Sequence, residues 1–480
     1  MLQTLKNAWR TKDIRAKILF TFLILVIYRI GTVIPVPFVD ANNFTASFEG
    51  TILDIMNVLS GGTLGTATLF ALGVSPYINA SIILQLLAVV FPNSIGAMAK
   101  NDKQKMGFVT RIVTVVLAVI TAIGYYFLLS NAGMLSPAAT AADSSMFWFY
   151  GIVIVVCYVA GASLIMWLAD RINERGIGNG ISIILFANII SAIPSQLYQL
   201  FTIVINTFFY ENPVWYVIVA ILFALLYIAI TVASVVFVIY ITGSERRIPV
   251  NYAKRNKGRK MYGGQSTHLP IKLNMTGVMP VIFASSIVTL IPTILALCGI
   301  TSSTEGGWGT FAAIIGQEGF IYPIVFFVLI IAFAYFYTQI TFNPIEVANN
   351  LNMQGGAIPG IRQGRPTADY IRKILNKITL AGALFLSIIA VVPVIVGPHV
   401  VQPIIEWVLN GAISSEVLTN EAYASQLKSA LESNASVAST LSNVLSFGGT
   451  SLIIVVGVAL ETFRDLEAQL TMRSYKGFLD

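Results

Sequence analysis

Charge is what this sequence has least of. Only 11% of its 480 residues are Asp, Glu, Lys or Arg, 56% are hydrophobic, and mean hydropathy is +0.79. A soluble domain carries about 25% charged residues, so a water-soluble globular fold is excluded. The apolar runs are long and continuous rather than alternating segments of ~10 residues, which excludes a membrane β-barrel. Cysteine is nearly absent: Cys157 and Cys298 stand far apart and read as small apolar packing residues. The two histidines, His268 and His399, fall in different loops, so no metal site is expected. There is no glycine-rich phosphate loop, no His-Glu-x-x-His and no paired intramembrane carboxylate. No catalytic residue, cofactor or enzyme activity is expected. The N-terminus lacks the short apolar core and cleavage site of a signal peptide.

The apolar runs are also nearly empty of ionisable groups at their middles. Arg29 sits near the outer end of the first and is expected to snorkel outward. Asp170 and Glu461 fall near inner ends. An ion-coupled transporter or proton pump keeps a costly charge at mid-membrane for function, so that class is disfavoured. The polar residues inside the runs are Asn79, Gln85, Asn179 and Asn188. Two readings stay open for them: ordinary interhelical hydrogen bonds, or a polar cluster at a helix–helix gate.

About 20 apolar residues cross a bilayer as a helix. On that measure ten spans are expected, at 18–34, 75–91, 109–129, 147–169, 179–195, 214–241, 275–297, 320–342, 374–396 and 447–463. The stretch 197–209 is apolar but short and lies between Pro194 and Pro213, so 196–213 is taken as an external connection. Of the 29 Lys and Arg, only Lys428 falls in loops on one side; apart from Arg29, the rest lie on the other side or at its span ends. Positive charge stays in the cytoplasm, which places both termini there and supports an even count. The expected class is an all-α polytopic membrane protein of two five-helix halves, 18–195 and 214–463. The second half begins on the opposite side, the arithmetic of an inverted repeat. Residues 1–17, with Leu2, Leu5 and Trp9 among five basic residues, suit an amphipathic helix on an anionic membrane surface. Residues 464–480 form a cytoplasmic tail.

Two inner loops are long and basic. Residues 243–274 hold Arg246, Arg247, Lys254, Arg255, Lys257, Arg259, Lys260 and Lys272 against one acid, Glu245. Its two β-like runs around a Lys/Arg/Gly turn predict a hairpin. Residues 343–373 carry Arg362, Arg365, Arg372 and Lys373. Topology anchoring explains the sign of the charge but not the length. Two such projections on one face suggest docking of something large and acidic, RNA or protein.

The stretch "LSGGTLGTATLFALGVSPYINASIILQLLAVV" (59–90) reads as a membrane segment broken in the middle. Its first part, Gly61–Leu72, is too short to span and too apolar for an ordinary loop, and is expected to form a short, lightly packed half-helix. Gly73 and Pro76 break it from the second part.

At this point the residues carry a family resemblance. "YRIGTVIPVP" (28–37), "LFALGVSPYINASIILQLL" (69–87), "ERGIGNGISIILFANI" (174–189), "RRIPVNYAKR" (246–255), "QSTHLPIKLNMTGVMPVIFASSI" (265–287), "PGIRQGRPTADYI" (359–371) and "GGTSLIIVVGVALET" (448–462) resemble the SecY family, central channel subunits of the bacterial Sec protein translocon. The resemblance implies a protein-conducting channel in the cytoplasmic membrane. Residues 59–73, with Gly61, Gly62, Gly65, Thr66, Leu69 and Gly73, would be its plug. Ile78, Ile82, Ile181, Leu185, Ile282 and Ile454 would form an aliphatic pore ring. The spans at 75–91 and 275–297 would flank a lateral gate into membrane lipid, with Asn79, Gln85 and Asn274 as candidate polar residues. Arg246, Arg247, Lys254, Arg255 and Arg362 would dock the ribosome and the motor ATPase SecA. The small membrane subunits SecE and SecG, signal sequences and nascent polypeptides are the other implied partners. One departure stands out: the external segment 397–446 is longer than the family's usual loop and holds four acids against Lys428. A neutral insertion and a cap over the outer mouth both stay open. A small-solute transporter built on inverted repeats remains the alternative, and an intramembrane enzyme is the third reading.

Overall fold

The computed structural model describes residues 2–39, 60–131, 135, 144–209, 214–252, 255–257, 260–262, 266–297, 307–316, 319, 321–401, 403 and 449–472. In chain order the helices are α1 (Leu2–Arg10), α2 (Lys12–Gly31), α3 (Ser75–Val90), α4 (Ile95–Asn101), α5 (Lys103–Asn131), α6 (Ser144–Arg175), α7 (Gly180–Phe209) and α8 (Val214–Gly243). Then come β1 (Glu245–Tyr252), β2 (Arg255–Lys257), β3 (Lys260–Tyr262), β4 (Ser266–Lys272), α9 (Met279–Leu297), α10 (Gly307–Ile315), α11 (Ile321–Thr341), α12 (Pro344–Met353), β5 (Gly356–Ala357) and α13 (Arg365–Val396). A π-helical turn, Gly397–Val401, extends α13, and the last helix, α14, covers 449–472. The chain is mostly helical, and each expected apolar run holds one of these helices. Among the described residues, 104–130, 148–175, 321–353 and 365–396 are long and apolar enough to cross a membrane on their own.

Local chemistry sets several boundaries. Pro76, Pro344 and Pro366 each stand in the first turn of a helix, where the missing N–H has no intrahelical partner to lose. Asn343 caps α12, its side chain accepting from Ile345 N at 3.1 Å. Gly364, at φ +91°, turns the chain into α13. Pro194 does not end α7, which runs on to Phe209. The helix thus continues past the expected end of the span at 195 and through most of the 196–213 connection. In an apolar medium a proline forfeits one hydrogen bond, whereas breaking the helix would strand several backbone groups.

Helix α2 packs on α6, α3 on α5, and α5 and α7 on α6; α9 packs on α11, α11 on α13, and α8 on α13. The two groups meet where α9 touches α3 and α5, and where α7 touches α8. One hydrophobic core runs through both. The outward faces are apolar too: Phe22, Ile120, Ile152 and Ile324 are each at least 60% exposed, a surface suited to lipid.

The loop after α8 is the predicted hairpin. Strand β1 pairs antiparallel with β4, Glu245 opposite Lys272 and Asn251 opposite Ser266, and β2 pairs with β3. The all-helical expectation needs one amendment here. β5, from the next basic loop, joins the free edge of β1, with Tyr252 opposite Gly356.

The expected half-helix is not formed. Residues 61–74 are a succession of turns that follow a helical Ser60. Gly61, Gly62 and Gly73 take φ of +77°, +85° and +55°, and Ala67 takes +46°, backbone that no α-helix contains. The light packing expected of this segment is also corrected. Thr63, Leu64, Ala67, Thr68, Phe70, Ala71 and Leu72 are buried. Phe70 stacks on Tyr28, ring centroids 5.4 Å apart. A Cβ on Gly31 would fall 2.0 Å from the Phe70 ring, and one on Gly161 would fall 1.9 Å from the Leu69 carbonyl oxygen. The segment's own Gly61, Gly62 and Gly73 serve its turns, and glycines on the neighbouring helices α2 and α6 let it pack closely.

Gly161→Val should therefore lower the midpoint of thermal unfolding in detergent by several degrees, since the Leu69 backbone cannot yield as a side chain would. Gly107→Val, in α5 where a Cβ meets nothing within 4 Å, is the control and should unfold like the parent.

Candidate functional site

The six aliphatic ring candidates come from four helices. Ile78 and Ile82 are on α3, Ile181 and Leu185 on α7, Ile282 on α9 and Ile454 on α14. Five of them are at most 8% exposed and belong to the main core; Ile181 is partly buried against it. The i, i+4 spacing of the first two pairs points both members of each pair to one side of their helix. Side chains of this kind offer no fixed hydrogen-bonding partner, and a narrow neck lined by them would disfavour a continuous water column.

The turn segment leads directly into α3, the helix that carries Ile78 and Ile82. Val36 N donates to the Ala67 carbonyl at 3.3 Å and Leu69 N to the Ile34 carbonyl at 2.9 Å. Thr63 Oγ1 donates to the Ser60 and Phe70 carbonyls at 3.0 and 3.1 Å. Tyr125 of α5 donates its hydroxyl to the Leu64 carbonyl. Gly62 and Thr66 face outward, Thr66 Oγ1 donating to the Gly62 carbonyl. Gly65 is buried and Leu69 partly buried.

Arg29 does not run outward as expected. Its Nη2 donates to the Ala187 carbonyl of α7 at 2.5 Å, and its guanidinium stands 5.9 Å from the Tyr28 ring centroid. A Cβ on Gly61 would be 3.1 Å from Asn188 Oδ1 and 3.4 Å from Arg29 Nη1. The charge finds an acceptor within the protein, so it has no need of the interface.

Of the three gate candidates, Gln85 gains a partner. Tyr337 of α11 donates its hydroxyl to Gln85 Oε1 at 2.5 Å, while Gln85 Nε2 donates to Ser81 Oγ at 3.0 Å. Tyr337 packs against Phe283 of α9, centroids 5.0 Å apart, and Phe283 against Phe333, 6.2 Å apart. The polar tie from α3 thus goes to α11, behind α9, rather than to α9 itself. Asn79 is half-buried on α3. Asn274 is buried just ahead of α9, 3.5 Å from Thr276 Oγ1. Sequence reasoning missed Tyr337, because a tyrosine in "FAYFYTQ" carries no sign of which hydroxyl crosses to another helix.

The two basic loops are one body. Ile248, Val250, Ile271, Leu351, Ile358, Ile371, Leu375 and Ile378 form a separate small core beneath the three-stranded sheet. Arg246 and Arg247 are exposed on β1, Arg247 Nε pairing with Glu245 Oε1 at 2.8 Å, and Arg362 is exposed between β5 and α13. Thr367 Oγ1 donates to the Arg362 carbonyl at 2.8 Å and fixes that turn. Partial burial and nearby Arg464 lower the pKa of Lys272, while Glu245 acts the other way. Arg255 begins β2; Lys254 lies outside the described residues, as does the 397–446 segment apart from 397–401 and 403.

Comparison with known proteins agrees with this architecture. The family model described as SecY matches residues 68–414. The protein translocase subunit SecY of Streptomyces galbus is 38% identical over 494 residues, covering 100% of both chains. A solved SecY channel, described by the role of its plug domain in stabilising the closed state and maintaining a membrane seal, superposes with a TM-score of 0.59 at 17% identity. It covers 95% of this chain and 92% of that one. Sec61 of the canine ribosome–channel complex from the endoplasmic reticulum superposes with a TM-score of 0.55 at 15% identity, with the same coverage. A family match over most of the length, together with full-length identity to curated translocase subunits, makes this chain a member of the SecY family.

Proposed function

We propose that this chain is the protein-conducting channel of a Sec translocon in the cytoplasmic membrane, passing unfolded secretory polypeptides across and releasing transmembrane segments sideways into lipid. The observation that carries the reading is the full-length match to SecY translocase subunits. Ile78, Ile82, Ile181, Leu185, Ile282 and Ile454, on four separate helices, all belong to or pack against the main apolar core, which supports their reading as the ring. Ten spans in two inverted five-helix halves, with both termini cytoplasmic, fit the charge distribution and the family. SecE and SecG are the membrane partners, and SecA or a ribosome docks on the basic sheet. The small-solute alternative is set aside, since no mid-membrane cluster of charged groups accompanies the ring among the described residues.

The geometry suggests how such a channel works. At rest the aliphatic ring and the buried 61–74 turns close the neck. A polypeptide threading the ring meets only methyl and methylene groups, so no sequence sticks and none is selected. Sideways exit requires α3 to part from α9 and α11, which breaks the Gln85–Tyr337 hydrogen bond. Docking supplies push rather than chemistry: the chain is a channel, and the energy comes from its partner.

The ring is tested by crosslinking. With Cys157 and Cys298 replaced by Ser and one cysteine placed at Ile282, a secretory precursor stalled during SecA-driven export should form a disulfide from its own single cysteine. The bond should need ATP and an intact signal sequence. Export without a disulfide at Ile282, Ile82 or Ile454 would put the path elsewhere. Tyr337→Phe tests the gate. Intramembrane hydrogen bonds average about 0.6 kcal/mol, roughly a threefold shift in an equilibrium, so precursors with weakly apolar signal sequences should be exported about threefold faster. Ile271→Ala tests the platform. Removing a buried isoleucine costs about 2–5 kcal/mol, so SecA affinity should fall and residues 245–272 should be nicked faster by protease, with every basic residue intact.

A further inference from the structure

The segment 60–73 is bonded extensively to itself. Thr63 Oγ1 donates to the Ser60 and Phe70 carbonyls, Leu64 N to Ser60 Oγ at 3.3 Å, and Thr68 N to the Thr63 carbonyl at 3.3 Å. Farther along, Ala71 N donates to the Thr68 carbonyl and Gly73 N to the Phe70 carbonyl, each at 2.9 Å. The two ends also close on each other. A Cβ on Gly73 would lie 3.4 Å from Ser60 Cβ and 3.7 Å from Ser60 Cα. A short segment whose ends meet and whose turns are bonded internally is an Ω-loop. Such a loop carries its own shape, so the resting state depends on what holds it in its seat.

Neutral groups hold its body. Pro35 stands opposite Thr68 in an antiparallel pair, flanked by the bonds from Val36 N to the Ala67 carbonyl and from Leu69 N to the Ile34 carbonyl. Tyr125 donates to the Leu64 carbonyl, and Phe70 stacks on Tyr28.

At the neck of the loop stands a charge. Arg29, in the last turn of α2 and next to Tyr28, donates from Nη2 to the Ala187 carbonyl of α7 at 2.5 Å. Asn188, the following residue, is fully buried. Gly61 sits against both: a Cβ on it would lie 3.1 Å from Asn188 Oδ1 and 3.4 Å from Arg29 Nη1, and its φ is +77°. Space and backbone both call for glycine there. A hydrogen bond from a charged donor is about twice as strong as a neutral one. The planar fork of a guanidinium can spend one nitrogen on α7 and present the other to the neck. Adjacent residues of α2 therefore grip the loop at two points, Tyr28 at Phe70 and Arg29 at Gly61.

We infer that Arg29 is the latch of the resting channel. By bridging α2 to the Ala187 carbonyl it fixes the gap in which Gly61 sits, and so keeps the 60–73 loop in its seat until a precursor arrives. Arg29 is a positioning residue: it acts on the loop and not on the passing polypeptide. The inference rests on the channel reading above and names what keeps that channel shut.

The test reads the leak of the empty channel. Full translocons with Cys157 and Cys298 replaced by Ser are reconstituted into vesicles that hold a halide-quenched dye, and no precursor is added. Arg29→Gln should admit iodide several-fold faster than the parent. Arg29→Lys keeps a charged donor for the Ala187 carbonyl and should leak close to the parent's rate. Both changes shorten the side chain, so a space-filling role would give them equal leaks. Gly61→Ala leaves Arg29 in place but crowds the neck; it should leak as Arg29→Gln does, and it carries the test if Arg29→Gln fails to assemble. A disulfide from Pro35→Cys to Thr68→Cys, a facing non-hydrogen-bonded pair, ties the loop to its seat. Forming it should abolish the extra leak of either variant, and reduction should restore the leak. Parental leak in Arg29→Gln and Gly61→Ala, or equal leaks from the Gln and Lys variants, would overturn the latch. So would a leak that survives the disulfide, since Arg29 would then act elsewhere than through the loop. A parent that does not export a precursor with SecA and ATP would overturn the channel reading itself, and the latch with it.

Discussion

A backbone amide inside a bilayer has no water to bond with, and the architecture of this chain follows from that constraint. Helices meet it within themselves. The turns of 61–74 cannot, and they persist only because other groups stand in for solvent. The chain at 34–36 donates an N–H to the Ala67 carbonyl and offers a carbonyl to the Leu69 N–H. Thr63 and Tyr125 supply hydroxyls to carbonyls that a helix would have satisfied. Gly31 and Gly161 allow the approach that makes these bonds possible. Irregular backbone at this depth is therefore bound to a specific seat, and leaving that seat must replace each of these bonds.

Which features were legible in the sequence depends on their physical range. Length and hydropathy fix apolar helices locally, so α5, α6, α11 and α13 stand where the apolar runs place them. Charge segregation and β-like alternation revealed the hairpin of β1 and β4. What one sequence concealed was pairing across distance. Tyr337 meeting Gln85, Asp465 meeting Gly178 and Arg29 meeting Ala187 join residues more than 150 positions apart. No local pattern marks such pairs. The missed half-helix has a different cause: Gly61, Gly62 and Gly65 suggest a lightly packed helix that Gly73 ends, whereas φ values of +77°, +85° and +55° at Gly61, Gly62 and Gly73 build turns. The ring residues were visible only through the family resemblance, since isoleucines four apart look the same in any apolar helix.

The two seams between halves differ in kind. At the Gln85–Tyr337 side one hydrogen bond is embedded in aromatic packing. At the Asp465 side several polar ties surround a glycine turn. Equal numbers of contacts would not make these seams equivalent, because apolar packing resists separation along its whole area while a few directed bonds tolerate rotation about themselves.

The β1–β5 pairing has a mechanical consequence. Ile371, Leu375 and Ile378, which support the sheet from below, lie on α13, and α13 is one unbroken helix from Arg365 to Val396. A force applied at the exposed arginines of the sheet has a stiff route along that rod toward the far face of the bundle. Its neighbours α11 and α8 are leaned on before any loop can absorb the load. The basic sheet is then the short arm of a lever whose long arm is α13, so a push on the one is felt along the other.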